Sequence, residues 1–433
     1  MRVHVVTMGC AKNVVDSERL MAQLNLSGIE LTPTPERADV ALINTCGFIQ
    51  SAKEESLEAM FELVRLKSRG RLKKVFAMGC LTERYGDDLR KEIPEVDRFF
   101  GSHQMEEVLH ALGAEYRAEL LGERLLTTPP HTAYLKISEG CDHPCSFCAI
   151  PLMRGKHRSR PEEELLDEAR RLADRGVKEL VVIGQDTTLY GVDRDGTRRL
   201  SGLLSRLGDL PGIEWVRLMY AYPSKFPLDV LEVLAHHPHI CKYIDLPLQH
   251  VSDRILASMR RGMSRRALRE LVATIRRSVP GVALRTTLIV GYPGEGEAEF
   301  EELLAFVREA RFERLGVFAY SHEEGTAAYP LGDPVPPEEK ERRRARLMEV
   351  QMDISEEQNQ ALLGKTLHVL IERKERDHYA GRTEHDAPEI DNEVYVRSAT
   401  PLEAGSFCDV DIVEAYEYDI VGVNRQDGEG RRR

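Results

Sequence analysis

Three cysteines within one short loop constrain this chain more than any other feature. Cys141, Cys145 and Cys148 follow a C-x3-C-x2-C spacing, just after the apolar run 134–138 that predicts a β-strand. A structural zinc site needs four protein ligands, and a 4Fe–4S cluster has four irons to cap. Three thiolates with no fourth close in sequence leave one metal position open for a substrate or cofactor. The alternatives are a zinc site with a distant fourth ligand and a chance cluster of cysteines.

This motif resembles that of the radical S-adenosylmethionine enzymes. In that superfamily the three cysteines hold a 4Fe–4S cluster, whose open iron binds the amino and carboxylate groups of S-adenosylmethionine. An electron from the cluster cleaves the cofactor to a deoxyadenosyl radical. The resemblance therefore implies a radical enzyme with a cluster on Cys141, Cys145 and Cys148.

Length and composition describe an ordinary soluble globular chain. Its 433 residues are enough for two to four domains, and no apolar run approaches the roughly 20 residues that span a bilayer. Residues 1–10 predict a strand and lack the long apolar stretch of a signal peptide. We therefore expect a cytoplasmic protein without membrane contact. Its eight cysteines should stay reduced and serve metal binding or catalysis.

Three segments of the first 120 residues share one pattern, an apolar run that ends at a cysteine beside a glycine. They are residues 3–10, 40–47 and 74–80, and the helical stretches 15–24, 51–66 and 83–91 follow them. This alternation predicts a parallel α/β domain over residues 1–120. Ligands collect at the carboxyl ends of such strands, so Cys10, Cys46 and Cys80 should converge on one edge. They are either a second three-thiolate iron–sulfur site or three buried structural cysteines.

A cysteine triad at strand ends, ahead of a C-x3-C-x2-C motif, resembles the methylthiotransferases of the radical S-adenosylmethionine superfamily. In that family the N-terminal domain holds an auxiliary 4Fe–4S cluster, on which the sulfur and methyl group to be inserted are assembled. The resemblance implies that Cys10, Cys46 and Cys80 hold this cluster. It also implies two 4Fe–4S clusters and S-adenosylmethionine as cofactors, with no catalytic side chain beyond the cluster ligands.

The strand–helix alternation resumes after residues 127–130, which include two prolines and mark a boundary. We place a central domain at residues 134–363. Its candidate strands are 134–138, 179–184, 215–220, 243–248, 283–290 and 315–320, and its helical stretches include 161–175 and 264–278. Six such units are too few for a closed eight-stranded barrel. We therefore predict an open six-stranded partial TIM-type barrel, as the resemblance also implies.

Two strand ends in this domain carry residues that the resemblance assigns to S-adenosylmethionine. Gly184, Gln185 and Asp186 lie where the superfamily places a Gly-Gly-Glu motif that accepts the amino group of the cofactor. Gly291 and Pro293 belong to a turn that resembles the family's Gly-x-Pro-Gly-Glu motif near the adenosyl group. Plain strand-to-helix turns are the alternative for both segments.

Three arginines and two cysteines lie outside these motifs. Arg154, Arg158 and Arg160 follow the radical motif closely. They either cover a solvated approach to a helix or bind an anion, from the cofactor or from an acidic substrate side chain. Cys241 and Cys408 lie away from any Gly-Cys strand end, and we interpret both as structural.

The pattern changes after a charged helical stretch that begins near residue 335 and ends near residue 363. Short strands at 369–371, 393–396 and 410–413 predict a small all-β barrel over residues 364–425, which resembles the TRAM domain of methylthiotransferases. That domain binds RNA in relatives that modify transfer RNA. Here, residues 364–420 contain 6 Lys and Arg against 14 Asp and Glu, a net charge of −8. An acidic domain attracts a basic protein and repels phosphate. The Gly- and charge-rich tail 425–433 predicts no fixed structure.

Residues 139–143 and 382–391 resemble the methylthiotransferase branch that acts on a ribosomal protein. The resemblance implies methylthiolation of the β-carbon of an aspartate in the twelfth protein of the small ribosomal subunit, by a monomeric enzyme that needs an external electron donor. The acidic β-domain would hold this basic substrate.

Two other functions compete with this one. An adenosine of transfer RNA as substrate predicts a basic C-terminal domain, and the net charge of the whole chain is −12. A non-catalytic iron–sulfur scaffold would need no S-adenosylmethionine site.

Overall fold

The computed structural model describes residues 1–120 and 122–429. The N-terminal part contains strands β1 (Arg2–Thr7), β2 (Glu30–Leu31), β3 (Val40–Thr45), β4 (Lys74–Gly79) and β5 (Arg98–Phe99). Its helices are α1 (Ala11–Leu26), α2 (Gln50–Ser68), α3 (Cys80–Glu92) and α4 (Met105–Ala111). The strands form one parallel sheet in the order β2-β1-β3-β4-β5. The predicted parallel α/β fold is confirmed.

The apolar runs of the sequence became the centre of this sheet. All six residues of β3 are buried, as expected for a strand that is covered on both faces by helices. The edge strands β2 and β5 have two residues each, too few to produce a periodic pattern, and the sequence did not predict them.

The central part is an open barrel. Its strands are β6 (Thr132–Lys136), β7 (Ser138–Glu139), β8 (Arg158–Ser159), β9 (Glu179–Ile183), β10 (Trp215–Leu218), β11 (Ile240–Asp245), β12 (Ala283–Val290) and β13 (Arg314–Ala319). Six of them pair in parallel in the order β6-β9-β10-β11-β12-β13, and among the described residues the edge strands β6 and β13 do not pair with each other. The open six-stranded barrel is confirmed.

Nine helices belong to the described residues of this part. They are α5 (Ile150–Arg154), α6 (Glu162–Asp174), α7 (Val192–Asp195), α8 (Leu200–Gly208), α9 (Asp229–His236), α10 (Asp253–Ser258), α11 (Arg265–Ser278), α12 (Glu297–Ala310) and α13 (Pro337–Gln360). Except for α5, which packs against α3, they accompany the barrel strands. Helix α11 shows the common design, since Leu268, Val272 and Ile275 form a buried stripe at helical spacing and Ser264 caps its N-terminus.

Three predicted central strands end two or three residues earlier than expected, and one of them, predicted at 134–138, ends at Lys136. The strand predicted at 243–248 ends at Asp245, since Pro247 has no N–H to donate to a sheet. The strand predicted at 215–220 ends at Leu218, because Tyr220 has a φ of 59° and turns the chain away.

The N-terminal part lies across the mouth of the open barrel. Val15 of α1 packs against Tyr134 and Val181, which face the barrel interior. On the opposite side, Lys53 and Arg84 pair with Glu323, just after the last barrel strand, at 3.0 and 2.6 Å. Contacts to both edges hold this part in place over the opening.

The C-terminal part is a closed barrel. Its strands are β14 (Thr366–Lys374), β15 (Tyr379–Arg382), β16 (Val394–Arg397), β17 (Phe407–Ala415) and β18 (Ile420–Asn424), in the order β14-β15-β16-β18-β17. The predicted all-β barrel is confirmed. Strands β15 and β18 were not predicted, because Gly381 and Gly422 interrupt their apolar pattern. A Cβ on Gly381 would lie 2.5 Å from the Leu370 carbonyl oxygen, so the corner needs glycine.

The tail differs from its prediction. Residues Arg425–Glu429 form a short helix, α14, directly after β18. The carboxylate of Asp427 accepts hydrogen bonds from the Ala399 N–H at 2.7 Å and the Thr400 hydroxyl at 3.0 Å, which fixes this helix to the barrel. Residues 430–433 lie outside the described residues. Among those that the structure describes, no helix combines the length and hydrophobicity that a membrane crossing requires.

A buried ion network joins the two barrels. Glu179, at the start of β9, pairs with Arg217 at 2.8 Å and with Arg382 of β15 at 2.5 Å, and all three side chains are nearly inaccessible to solvent. Although burial opposes ionisation, the two guanidinium groups lower the pKa of Glu179 from 4.5 to about 2. Arg217 also donates to the Glu384 carbonyl at 2.6 Å. The network therefore fixes the C-terminal barrel to the central one.

Replacing Glu179 by Gln should lower the free energy of unfolding by about 3 kcal/mol at pH 7, since it leaves the buried Arg217 without its anion and Arg382 with Glu372 alone. The stabilisation by Glu179 is present above pH 4.5 and is lost as the pH falls towards 2, because its folded-state pKa is the lower one. Denaturant unfolding at several pH values measures both effects. The matched control is Glu414→Gln, at an exposed pair with Arg397, which should leave stability almost unchanged because solvent screens the pair.

Candidate functional site

Cys10, Cys46 and Cys80, the N-terminal thiol set, lie at the carboxyl ends of the adjacent strands β1, β3 and β4. Two glycines allow these segments to meet. A Cβ on Gly9 would lie 2.8 Å from the Cys46 sulfur, and a Cβ on Gly47 would lie 2.8 Å from Leu81, the residue after Cys80. The expected convergence at one sheet edge is present. Iron binding by these thiols stays a prediction.

Cys141, Cys145 and Cys148, the central thiol set, lie in the loop between β7 and α5, beyond the carboxyl end of β6. His143 anchors this loop. Its Nε2 lies 2.6 Å from an Asp186 carboxylate oxygen, and its ring stacks on Tyr222 with the centroids 3.5 Å apart. All eight cysteines of the chain are free thiols. The loop is thus fixed to the ends of the two following barrel strands.

Arg154 connects the two thiol sets. It ends α5, six residues after Cys148, and its Nε donates to the Cys80 sulfur at 3.1 Å. The same buried guanidinium pairs with Asp16 of α1 at 2.7 Å and with Glu139 at 3.3 Å. The side chains of Cys80, Ala149 and Met153 pack together beside it. The N-terminal set therefore faces the segment that carries the central set.

The three arginines of the basic run have different surroundings. Arg154 is buried and pairs with carboxylates of the protein itself, so it is not solvated, and its contact with an anion of the cofactor or substrate stays a prediction. Arg160 pairs with the buried Glu168 at 2.7 Å and is also internal. Arg158 is exposed, as the other interpretation expected.

The donor set fits iron–sulfur clusters. Burial raises the pKa of Cys80 to about 11 and of Cys141 and Cys148 to about 12, so these thiols keep their protons until a metal displaces them. Among the described residues, no three His, Cys, Asp or Glu side chains converge tightly enough to bind a single metal ion. Each set offers three sulfur atoms, the number that a 4Fe–4S cluster with one open iron needs from the protein.

The residues predicted to bind S-adenosylmethionine lie at the same barrel end, and their role stays a prediction. The Asp186 carboxylate is already occupied, by His143 and by the N–H and hydroxyl of Thr188. Gln185 donates to Glu139, and its buried Oε1 has no partner among the described residues.

The second predicted cofactor segment follows β12. Gly291 has a φ of 73°, and a Cβ there would overlap the side chain of Lys340 on α13, so its close packing already requires glycine. Pro293 is buried in the same turn.

Comparison with known families divides the chain into three matched segments. The uncharacterised protein family UPF0004 matches residues 2–101, the radical SAM superfamily matches residues 135–307, and the TRAM domain matches residues 363–424.

Similar proteins cover nearly the whole chain. A protein of Chloroherpeton thalassium named ribosomal protein uS12 methylthiotransferase RimO is 54% identical over 425 residues, which cover 97% of this chain and 98% of that protein. A protein of the same name from Cytophaga hutchinsonii is 52% identical, with 97% of both chains covered. The chain belongs to the uS12 methylthiotransferase family. The resemblance found in the sequence is confirmed.

Solved structures confirm the fold of this family member. The radical S-adenosylmethionine methyltransferase TsrM from Kitasatospora setae matches with a TM-score of 0.55 and 14% identity, over 76% of this chain and 77% of that chain. The cobalamin-dependent S-adenosylmethionine radical enzyme OxsB matches with a TM-score of 0.53 and 12% identity, over 80% of this chain and 56% of that one. At these identities the likeness concerns the fold alone.

Sequence reasoning missed four residues beside the thiol sets. Arg261 donates to the Cys145 sulfur at 3.3 Å and lies over the ring of Tyr222. Lys12 lies over the ring of Tyr220, and burial lowers its pKa to about 8. Of the four, only Lys12 could have been found from the sequence, because it lies two residues after the predicted ligand Cys10. The others come from distant segments.

Replacing Asp186 by Ala should loosen the central loop, since His143 loses its anchor. In the apo protein, amide hydrogen exchange over residues 141–148 should become about 10- to 100-fold faster, the value of one lost hydrogen bond to a charged group. The matched control is Asp195→Ala, at an exposed aspartate that pairs with Arg199. Unchanged exchange in the Asp186 variant would show that other contacts hold the loop.

Proposed function

We propose that this chain transfers a methylthio group to the β-carbon of an aspartate in ribosomal protein uS12, with two 4Fe–4S clusters and S-adenosylmethionine as cofactors. Membership of the family supports the reaction and the substrate. The observation that carries the proposal is the contact of Arg154 with the Cys80 sulfur, because it puts one thiol of the N-terminal set against the helix that follows the central set. A single reaction that needs both clusters requires such proximity.

The chemistry explains why two sites are needed. The β-carbon of an aspartate is neither acidic enough to be deprotonated nor nucleophilic, so replacing its C–H bond by C–S requires abstraction of a hydrogen atom. With both clusters bound, the site gains the one-electron chemistry that cleaves S-adenosylmethionine and a sulfur source for the product. An external electron donor must supply that electron.

The side chains around the thiols hold and orient the reactants. We expect Gln185 Oε1 and the Glu139 carboxylate to accept the amino group of S-adenosylmethionine. Although burial opposes it, Lys136 and Arg154 hold the pKa of Glu139 well below its usual range, so it is an anion. Helix α1 covers the barrel mouth and limits the access of water, which protects a radical.

The C-terminal barrel would hold the basic substrate protein, although less of its negative charge is available than the sequence indicated. Asp386 and Asp391 are buried and pair with Arg314 and Arg285 of the central barrel. Asp409 and neighbouring Asp411, by contrast, alternate with the buried residues of β17 and face outwards. These outward carboxylates favour a protein substrate over RNA. We expect the enzyme to act as a monomer in the cytoplasm.

Mass spectrometry of the products tests the reaction. Anaerobically reconstituted enzyme with a reductant should add one methylthio group to uS12 and none to transfer RNA. The wild type should bind about eight irons per chain, and the Cys80→Ala and Cys145→Ala variants about four each, with no product. Cys408→Ala, in the remote barrel, should match the wild type. Modified transfer RNA would overturn the substrate assignment, and iron binding without any product would favour the scaffold.

Charge reversal tests the role of the barrel surface. The double variant Asp409→Lys/Asp411→Lys should raise the KM for uS12 by about 10-fold at low salt and leave kcat unchanged, with a smaller effect at high salt. The matched control, Asp87→Lys/Asp88→Lys, makes the same charge change on exposed residues of α3 and should leave KM unchanged. If both double variants raised the KM equally, the net charge of the enzyme would control substrate binding, and the surface around Asp409 and Asp411 would have no special role.

A further inference from the structure

Lys12 is a buried cation without an anion. It lies in the first turn of α1, two residues after Cys10, and is 7% exposed. Its ammonium nitrogen lies 2.9 Å from the centroid of the Tyr220 ring. Within the described residues it makes no ion pair and no hydrogen bond. A cation–π contact offsets only part of the cost of removing a charge from water, so the site favours an incoming anion.

The carboxylates near Lys12 are already paired. Asp245 accepts from Arg285 at 2.8 Å and from the Tyr220 backbone N–H at 3.0 Å. Glu139 pairs with Lys136 at 2.7 Å and also with Arg154. Cys10 and both carboxylates attract the Lys12 ammonium, yet within the described residues none of them forms a hydrogen bond or an ion pair with it. The Lys12 ammonium is therefore left without a carboxylate partner among the described side chains.

Tyr220, whose ring lies below Lys12, has a strained backbone conformation. Tyr220 follows β10 with a φ of 59°, a left-handed backbone conformation that is costly for a residue with a side chain. Its N–H is fixed by Asp245, and its carbonyl accepts from the Thr187 N–H at 3.1 Å. These bonds keep the conformation and present the aromatic face to the ammonium. Such strain persists where the position of a side chain matters.

We propose that Lys12 binds the side-chain carboxylate of the substrate aspartate. The inference rests on the proposed function and names the residue that selects its substrate. The carboxylate carbon is bonded directly to the β-carbon, so an ion pair with Lys12 places the reacting carbon beside Cys10 and the N-terminal thiol set. An asparagine has nearly the same shape but no charge, and an adenosine has no carboxylate. The pairing therefore discriminates against both.

A double-mutant cycle tests the pairing, with reconstituted enzyme and without reductant so that no turnover occurs. The aspartate that mass spectrometry identifies in uS12 is replaced by Asn, and both forms are titrated against wild type and Lys12→Met. The wild type should bind the Asp form about 10- to 100-fold more tightly, as expected for a buried charge pair. Lys12→Met should bind both forms equally, and Lys12→Arg should keep part of the difference.

Controls separate this role from others. Lys73→Met, at an exposed lysine at the opposite edge of the N-terminal sheet, should keep the full discrimination. Iron content is measured on every variant, and Lys12→Gln replaces Lys12→Met in the cycle if the latter binds fewer than about eight irons. The affinity for S-adenosylmethionine should not change.

The other outcomes overturn the proposal in different ways. Full Asp–Asn discrimination by Lys12→Met would exclude the pairing. If that variant also lost affinity for S-adenosylmethionine, the partner of Lys12 would be the cofactor carboxylate. If wild-type enzyme with reductant adds no methylthio group to uS12, the proposed function itself fails, and the role of Lys12 fails with it.

Discussion

The placement of helix α1 over the barrel mouth determines the rest of this structure. Cys10 lies directly before the first residue of this helix. Asp16, further along the helix, belongs to a buried ion network with Arg154, Lys136 and Glu139. Buried ion pairs contribute little net stability, but removing one partner is costly, so the network specifies one arrangement of the two parts. The network thereby fixes the N-terminal thiol set relative to the segment that carries the central one.

The opposite end of the central barrel is closed in the same way. Residues 382–391 enter it from the C-terminal part and meet Glu179, Arg217, Arg285 and Arg314. Charged residues therefore fill positions where a complete eight-stranded barrel would use apolar layers. The open barrel depends on its two neighbours for closure.

The sequence predicted the features that repeat or that are locally dense. Long apolar strands, the spacing of Cys141, Cys145 and Cys148, and three cysteines at equivalent strand ends are visible in one dimension. The strained Tyr220 and the contact of Arg261 with Cys145 are not, because they join segments far apart in the chain. Residues 382–391 are polar and have the composition of a surface loop, yet Asp386 is buried, since its partner arginine lies in another domain. Burial of paired charges cannot be inferred from hydropathy.

The pairing of Glu179 with Arg382 sets an order of events during synthesis. The two residues are 203 positions apart, so at about 5–20 residues per second Arg382 is made about 10–40 s after Glu179. Until then Glu179 and Arg217 lack their third partner, and the lower end of the central barrel stays uncovered. During this interval the cysteine-bearing loops of the nascent chain have been synthesised, whereas the C-terminal barrel that closes the central barrel has not.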